Sequence, residues 1–186
     1  MATEIELKAH VADHQTLKLL LSEKAEYLGA FEKEDTYWTP VKGSLRTRSE
    51  KRILADGNEK STNYICYKRK EVRDGIEIND ELEFEAKPGE IVKEFFREMG
   101  LEPWISKRKR GWAYFSKEIN AELVEVEGLG WFVELEIIAD NDREVCFKEA
   151  KNLLLDFLFS LGIEEKHIES RFYTEMLLIL KNDTLT

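Results

Sequence analysis

The chain has 186 residues, with 28 Lys plus Arg against 38 Asp plus Glu and a formal net charge of −10 at pH 7. That surplus of acid works against nonspecific binding to nucleic acid or anionic lipid, whose phosphates are held by clustered basic side chains. The length suits one domain, residues 1–186, and 42% apolar with 11% aromatic residues supplies a real core and excludes global disorder.

From Thr3 to Val11 polarity alternates, with Ile5, Leu7 and Ala9 on one face and Glu4, Glu6, Lys8 and His10 on the other. This is a strand with one charged face, and it has neither the basic nor the apolar region of a signal peptide. Asp13 is placed to cap a helix over roughly 14 to 28, where Leu17, Leu20, Leu21, Lys24 and Leu28 recur at helical spacing and Gly29 ends the turn. Short strands follow at 35–39, 44–49 and 63–71, separated by Pro40, Gly43 and a polar stretch, 55–63, that reads as a mobile loop. Another strand is expected over 81–87. Pro88-Gly89 then opens a helix carrying Ile91, Val92, Phe95, Phe96 and Met99, with Gly100 at its end. Strands at 104–115, 120–127 and 131–138 precede an amphipathic helix, 145–161, ending at Gly162, and a last helix near 168–180. The longest apolar stretch, Leu153 to Gly162, contains Asp156 and is far short of the ~20 residues of a membrane span. Cys66 and Cys146 lie far apart in no CxxC pattern, so a reduced, cytoplasmic setting is expected.

Mostly consecutive strands with about four helices predict an antiparallel α+β fold. Charge placement refines it. One face is charged in Glu4, Glu6, Lys8; in Arg46, Arg48; in Lys68, Lys70; in Glu81, Glu83, Glu85; in Lys107, Lys109; and in Glu134, Glu136. On any one strand that is an ordinary solvent face. Across six strands, matched acidic and basic rows indicate a closed barrel with a charged lumen and helices outside.

Carboxylates at i and i+2 on a strand point the same way, roughly 7 Å apart. Glu4/Glu6 and Glu134/Glu136 are therefore placed to surround a hard cation, and without a His or Cys cluster Mg²⁺ or Mn²⁺ is expected. Mg²⁺ commonly binds through carboxylates together with substrate phosphates, which Arg46, Arg48, Lys68, Lys107 and Lys109 would hold. Other chemistry finds no motif. His10, His14 and His167 have no metal-ligand spacing, Gly128-Leu129-Gly130 reads as a hairpin turn, and Asp140-Asn141-Asp142 reads as a helix cap rather than a calcium loop.

Glu4-Ile5-Glu6-Leu7-Lys8 resembles the ExExK signature of CYTH-domain proteins, the triphosphate tunnel metalloenzymes. Further matches run in order: Asp35-Thr36-Tyr37, Leu45-Arg46-Thr47-Arg48, Tyr67-Lys68, Lys107 to Arg110, Gly128 to Glu136, and Tyr173-Thr174-Glu175-Met176-Leu177. The resemblance implies an eight-stranded antiparallel tunnel, a metal-facing set Glu4, Glu6, Glu134 and Glu136, and a triphosphate grip of Lys8, Arg46, Arg48, Lys68, Lys107 and Lys109. It is closest to class IV adenylyl cyclases, which implies conversion of ATP to cyclic AMP and pyrophosphate. The alternatives are hydrolysis of tripolyphosphate or an organic triphosphate such as thiamine triphosphate, with Lys8 and Tyr37 matching a water-activating pair, and a noncatalytic nucleotide- or polyphosphate-binding module. Two positions depart from the family. Val124 stands where relatives carry an Asp, with Glu122 two residues back on the same face, and Glu81 stands where a middle strand often carries Arg. Family barrels can pair as homodimers, and Trp38, Trp104 and Trp112 belong either to such an interface or beneath helices.

Overall fold

A computed structural model describes residues 2–39, 41–87, 89–139 and 143–183. Pro40, Pro88 and the Asp140 to Asp142 run therefore lie outside the described residues. Eight strands form a closed antiparallel barrel in the order β1-β5-β4-β3-β2-β6-β7-β8. They are β1 (Ala2–His10), β2 (Glu26–Thr39), β3 (Ser44–Leu54), β4 (Glu59–Arg73), β5 (Ile76–Glu85), β6 (Glu102–Ser116), β7 (Ile119–Val126) and β8 (Gly130–Ala139). Four helices accompany them: α1 (His14–Lys24), α2 (Gly89–Glu98), α3 (Arg143–Ser160) and α4 (Tyr173–Asp183). This is the expected architecture.

The last helix opens at Tyr173 rather than near 168, where Ile168 instead bridges to Ala9, and two further places differ from the sequence reading. The Asp13 carboxylate does cap α1, accepting from the Gln15 and Thr16 N–H groups at 3.1 Å each. The helix stops at Lys24, however, because Ala25 is extended and residues from Glu26 pair with β6. Leu28 and Gly29 therefore belong to β2, where Gly29 sits beside a register shift at φ +140° and a Cβ would collide with the Ile53 carbonyl oxygen. The polar stretch 55–63 is no loop. Asn58 closes a tight turn onto Leu54, and from Glu59 the chain is strand. Long cross-strand pairing overrode the weak local β signal in both places.

The main apolar core lies outside the barrel. Ile5 and Leu7 of β1, Leu123 of β7 and Val133 and Leu135 of β8 pack with Leu17 and Leu21 of α1 and Leu154 and Leu158 of α3. Alternation then forces the other face of these strands inward. On the far side Phe96 of α2 meets Trp38 edge-on at 5.4 Å, and Trp38 Nε1 donates to Thr47 Oγ1 at 3.0 Å. Ile91 and Phe95 of α2, and Met99 just past its end, are by contrast about three-fifths exposed, at 61, 59 and 62%. Of the three tryptophans expected at an interface or beneath helices, Trp38 is buried, Trp112 is half-buried and stacked on Trp131, and Trp104 is exposed. Among the described residues no helix is long and apolar enough to cross a membrane.

Candidate active site

The lumen is built by alternation and register. Pairing of β1 with β8 sets Lys8 opposite Glu134 and Glu6 opposite Glu136, and pairing with β5 sets Glu4 opposite Asn79. On the other wall Asp35 of β2 lies between Arg48 of β3 and Lys107 of β6. Every charged row expected to face inward does so in part. Glu85 is exposed beside Lys60 and Lys87, at the end of β5 beyond its last β1 partner, and Arg108 and Arg110 face outward as alternation requires.

Glu4, Glu6 and Glu136 form one cluster, each offering an oxygen within 4.8 Å of the others. Burial raises all three carboxyls. Glu81 and Glu136 add to the rise at Glu4 and outweigh its ion pair with Lys68, pushing it to about 9. Glu77 and Glu134 add to that of Glu6, and Glu6 to that of Glu136, which reaches about 7. Three carboxyls driven toward their neutral forms by burial and by neighbouring carboxylates are what a divalent cation would relieve, and an all-oxygen donor set suits Mg²⁺ or Mn²⁺. Glu134, expected in that set, stands apart. It accepts from Lys109 Nζ at 2.6 Å and, against the effect of burial, Lys109 and Lys107 hold its carboxyl far below the usual range.

The basic wall is crowded and paired. Arg48 grips Asp35 with two nitrogens at 2.7 and 3.0 Å, and Lys107 and Arg46 reach the same carboxylate at 3.2 and 3.6 Å. Despite burial, Arg48, Lys107 and Arg46 keep Asp35 well below its usual value. Lys68 pairs with Glu4 and, at 2.7 Å, with Glu81; Lys8 pairs with Glu77. Glu122 does enter the lumen. It lies between Lys33 (2.5 Å) and Lys109 (3.6 Å) rather than in the acidic cluster, while Val124 packs among apolar side chains at the closed end. Tyr37 is buried beside Lys107, whose Nζ is 5.7 Å from the ring. Burial alone would raise this phenol, but Lys107 and Arg46 lower it to about 8.

A cavity of about 350 Å³ enters the lumen past Leu28, Ile138, Arg52 and Tyr64 and reaches Arg46, Arg48, Lys68, Lys109, Glu134 and the acidic cluster. The lining holds every member of the expected metal set. Of the expected triphosphate grip it includes Arg46, Arg48, Lys68 and Lys109, with Lys8 and Lys107 deeper, around Tyr173 at the start of α4. A larger concavity of about 870 Å³ runs across β4, β3, β2, β6 and β7, where Arg108 pairs with Glu34 at 3.0 Å and Arg110 with Glu125 at 2.7 Å.

Sequence reasoning missed Lys33, Glu77 and Tyr173. The alternation Phe31, Lys33, Asp35, Tyr37 was a usable signal for the first. Nothing local marked Tyr173 as a lumen residue. Two of the histidines have ordinary partners: His10 bonds Glu169 at 3.1 Å and His14 stacks on Trp131.

Comparison with known proteins agrees with this geometry. The CYTH domain family matches residues 2–173. A protein of Methanocaldococcus jannaschii named "Putative adenylate cyclase MJ0240" is 24% identical over 176 residues, covering 93% of this chain and 97% of that one. The PH1012 protein of Pyrococcus horikoshii superposes with a TM-score of 0.76 at 30% identity, over 92% of this chain and 98% of that one. At 20% identity, a likeness of fold alone, the Hippeastrum protein titled "Putative adenylyl cyclase HpAC1", which is described as having a dominant triphosphatase activity, superposes with a TM-score of 0.67 over 98% and 96% of the chains.

Proposed function

The chain belongs to the CYTH domain family, and on that footing we propose that its lumen binds the phosphate chain of a nucleoside triphosphate with Mg²⁺ or Mn²⁺ and acts as a class IV-type adenylyl cyclase. The observation that carries this reading is the Glu4, Glu6 and Glu136 cluster standing against a wall of buried arginines and lysines inside one barrel. A cavity of about 350 Å³ is small for a ligand site and suits a phosphate chain. Leu28, Ile138 and Tyr64 at the mouth offer apolar surface to a nucleoside left outside it. The M. jannaschii relative carries the cyclase name.

In this reaction the ribose 3′-hydroxyl attacks the α-phosphorus and pyrophosphate leaves. Arg46 and Arg48 suit bidentate contact with phosphate oxygens, and Lys68, Lys107 and Lys109 serve as point charges. These cations are held in place by Asp35, Glu81 and Glu134 before substrate arrives, so little reorganisation is needed. A cation on Glu4, Glu6 and Glu136 would neutralise charge building on the transferring phosphoryl and leaving group.

Triphosphate hydrolysis is the second reading, favoured by Tyr37. A buried phenol lowered to about 8 beside Lys107 is available as a base toward water. Incubation with ATP, and separately with tripolyphosphate, under each metal, followed by chromatography of the products, tests both. Cyclic AMP with equimolar pyrophosphate supports the first. Phosphate without cyclic AMP moves the chain to the second, and no product from either substrate refutes both.

A further inference from the structure

The inward row of β5 contains one side chain that the barrel leaves unpaired. Ile76 and Ile78 turn outward into the main core, so alternation turns Glu77, Asn79, Glu81 and Glu83 toward the lumen. Three of these are carboxylates with cationic partners: Glu77 with Lys8, Glu81 with Lys68 and Arg46, and Glu83 with Arg46. Asn79, in the middle of the row, is 1% exposed, and neither its Oδ1 nor its Nδ2 has a hydrogen-bond partner among the described residues. Lys70, opposite it on β4, is engaged elsewhere, with Nζ 4.5 Å from the centroid of the Phe172 ring. A buried amide with both ends unpaired is costly, and its presence points to a ligand that it contacts.

The other neighbour of Asn79 identifies that ligand. In the ladder between β1 and β5, Asn79 is directly opposite Glu4. Residues opposed in this way have Cβ atoms about 4.5–5.5 Å apart, which sets the amide beside the acidic cluster. The oxygens of Glu4, Glu6 and Glu136 in that cluster lie within 4.8 Å of one another.

We propose that Asn79 is a further ligand of the cation held by Glu4, Glu6 and Glu136, contributing its side-chain carbonyl oxygen from the β5 wall. The inference rests on the metal reading above and adds a residue to it. The three glutamates already bring three negative charges to a divalent ion. A neutral amide oxygen extends the coordination without a fourth charge, and hard cations accept it as a donor. With Oδ1 on the ion, Nδ2 points away from it and has two protons to give to a phosphate oxygen bound alongside.

The test is calorimetric titration of Mn²⁺ into the full chain at pH 8, with and without tripolyphosphate, for wild type, Asn79→Leu and Asn79→Asp. Asn79→Leu keeps a branched side chain of similar size and removes both polar atoms, and Mn²⁺ should bind it about tenfold more weakly. Its melting temperature in chelator should be unchanged or higher, because an unpaired buried amide is gone. Asn79→Asp restores an oxygen donor and should bind Mn²⁺ at least as tightly as wild type. Equal affinity of wild type and Asn79→Leu overturns the inference, and so does weaker binding accompanied by a lower melting temperature in Asn79→Leu, which marks a structural role. Asn79→Asp binding as weakly as Asn79→Leu overturns the carbonyl oxygen as the ligand. If Asn79→Leu does not fold, Asn79→Ala takes its place, and affinity equal to wild type there is the same refutation. A wild-type chain that binds no Mn²⁺ in either condition refutes the metal reading and the inference with it, whereas binding by wild type with no difference in the variants refutes the inference alone.

Discussion

Replacing Glu4 by Gln should stabilise the metal-free protein at pH 8 and do little at pH 5. Burial and its carboxylate neighbours push the Glu4 carboxyl up to about 9 in the folded chain, whereas an unfolded chain releases the proton near the ordinary value of 4.5. Between those values the folded state binds more protons than the unfolded one, so this group makes stability fall as pH rises through the interval. Each unit of separation corresponds to about 1.4 kcal/mol, so over 3.5 units the cost at pH 8 approaches about 5 kcal/mol. Water in the open mouth screens part of this, leaving an expected difference of about 2 kcal/mol at pH 8 and under about 1 kcal/mol at pH 5. For a chain of this size that is a rise in Tm of about 4–8 °C, read by differential scanning calorimetry in chelator. Saturating Mn²⁺ should reverse the order, because only wild type gains the linkage stabilisation of a bound ion. A Glu4→Gln variant equal to or less stable than wild type at pH 8 in chelator would refute the argument that the cluster is strained without its cation.

Lys109→Met strips both Glu122 and Glu134 of their nearest shared cation and should cost about 3 kcal/mol in urea denaturation, with part of the loss recovered by adding Glu134→Gln. Phe96→Ala should cost about 3 kcal/mol, since Phe96 is the buried anchor of α2 on Trp38, whereas Phe95→Ala, one residue away and 59% exposed, should change stability by less than about 0.5 kcal/mol. If the chain hydrolyses triphosphates, kcat should rise with pH through about 8 as the Tyr37 phenol loses its proton, and Tyr37→Phe should abolish that limb while leaving tripolyphosphate affinity within about twofold. A limb that persists in the variant assigns the base elsewhere.

The fold was legible where period-two alternation carried charge on one face. Glu4, Glu6 and Lys8, with Glu134 and Glu136, announced both a strand and its inward side, because a charged face repeated on many strands needs a shared interior. What local pattern could not show was length. β2 begins at Glu26, nine residues before the expected strand, because pairing to β6 extends through residues whose own propensity is helical or neutral. Burial on α2 was likewise invisible: Ile91, Phe95 and Phe96 look alike in the sequence, and only the position of Trp38 decides which is covered. Within the site, the residue types were readable but their partners were not. That Glu134 belongs to Lys109, while Glu4, Glu6 and Glu136 share a cluster, depends on how the strands close, as does the arrival of Tyr173 from the far end of the chain.

A divalent cation on Glu4, Glu6 and Glu136 beside a bound phosphate chain is the feature on which the proposed chemistry depends. Electron paramagnetic resonance of Mn²⁺ titrated into the protein, with and without tripolyphosphate, tests it directly. Wild type should give a bound Mn²⁺ signal that strengthens when tripolyphosphate is added and is lost in the Glu4→Gln, Glu136→Gln double variant. Undiminished binding in that variant, or competition between tripolyphosphate-loaded protein and Mn²⁺, would contradict it.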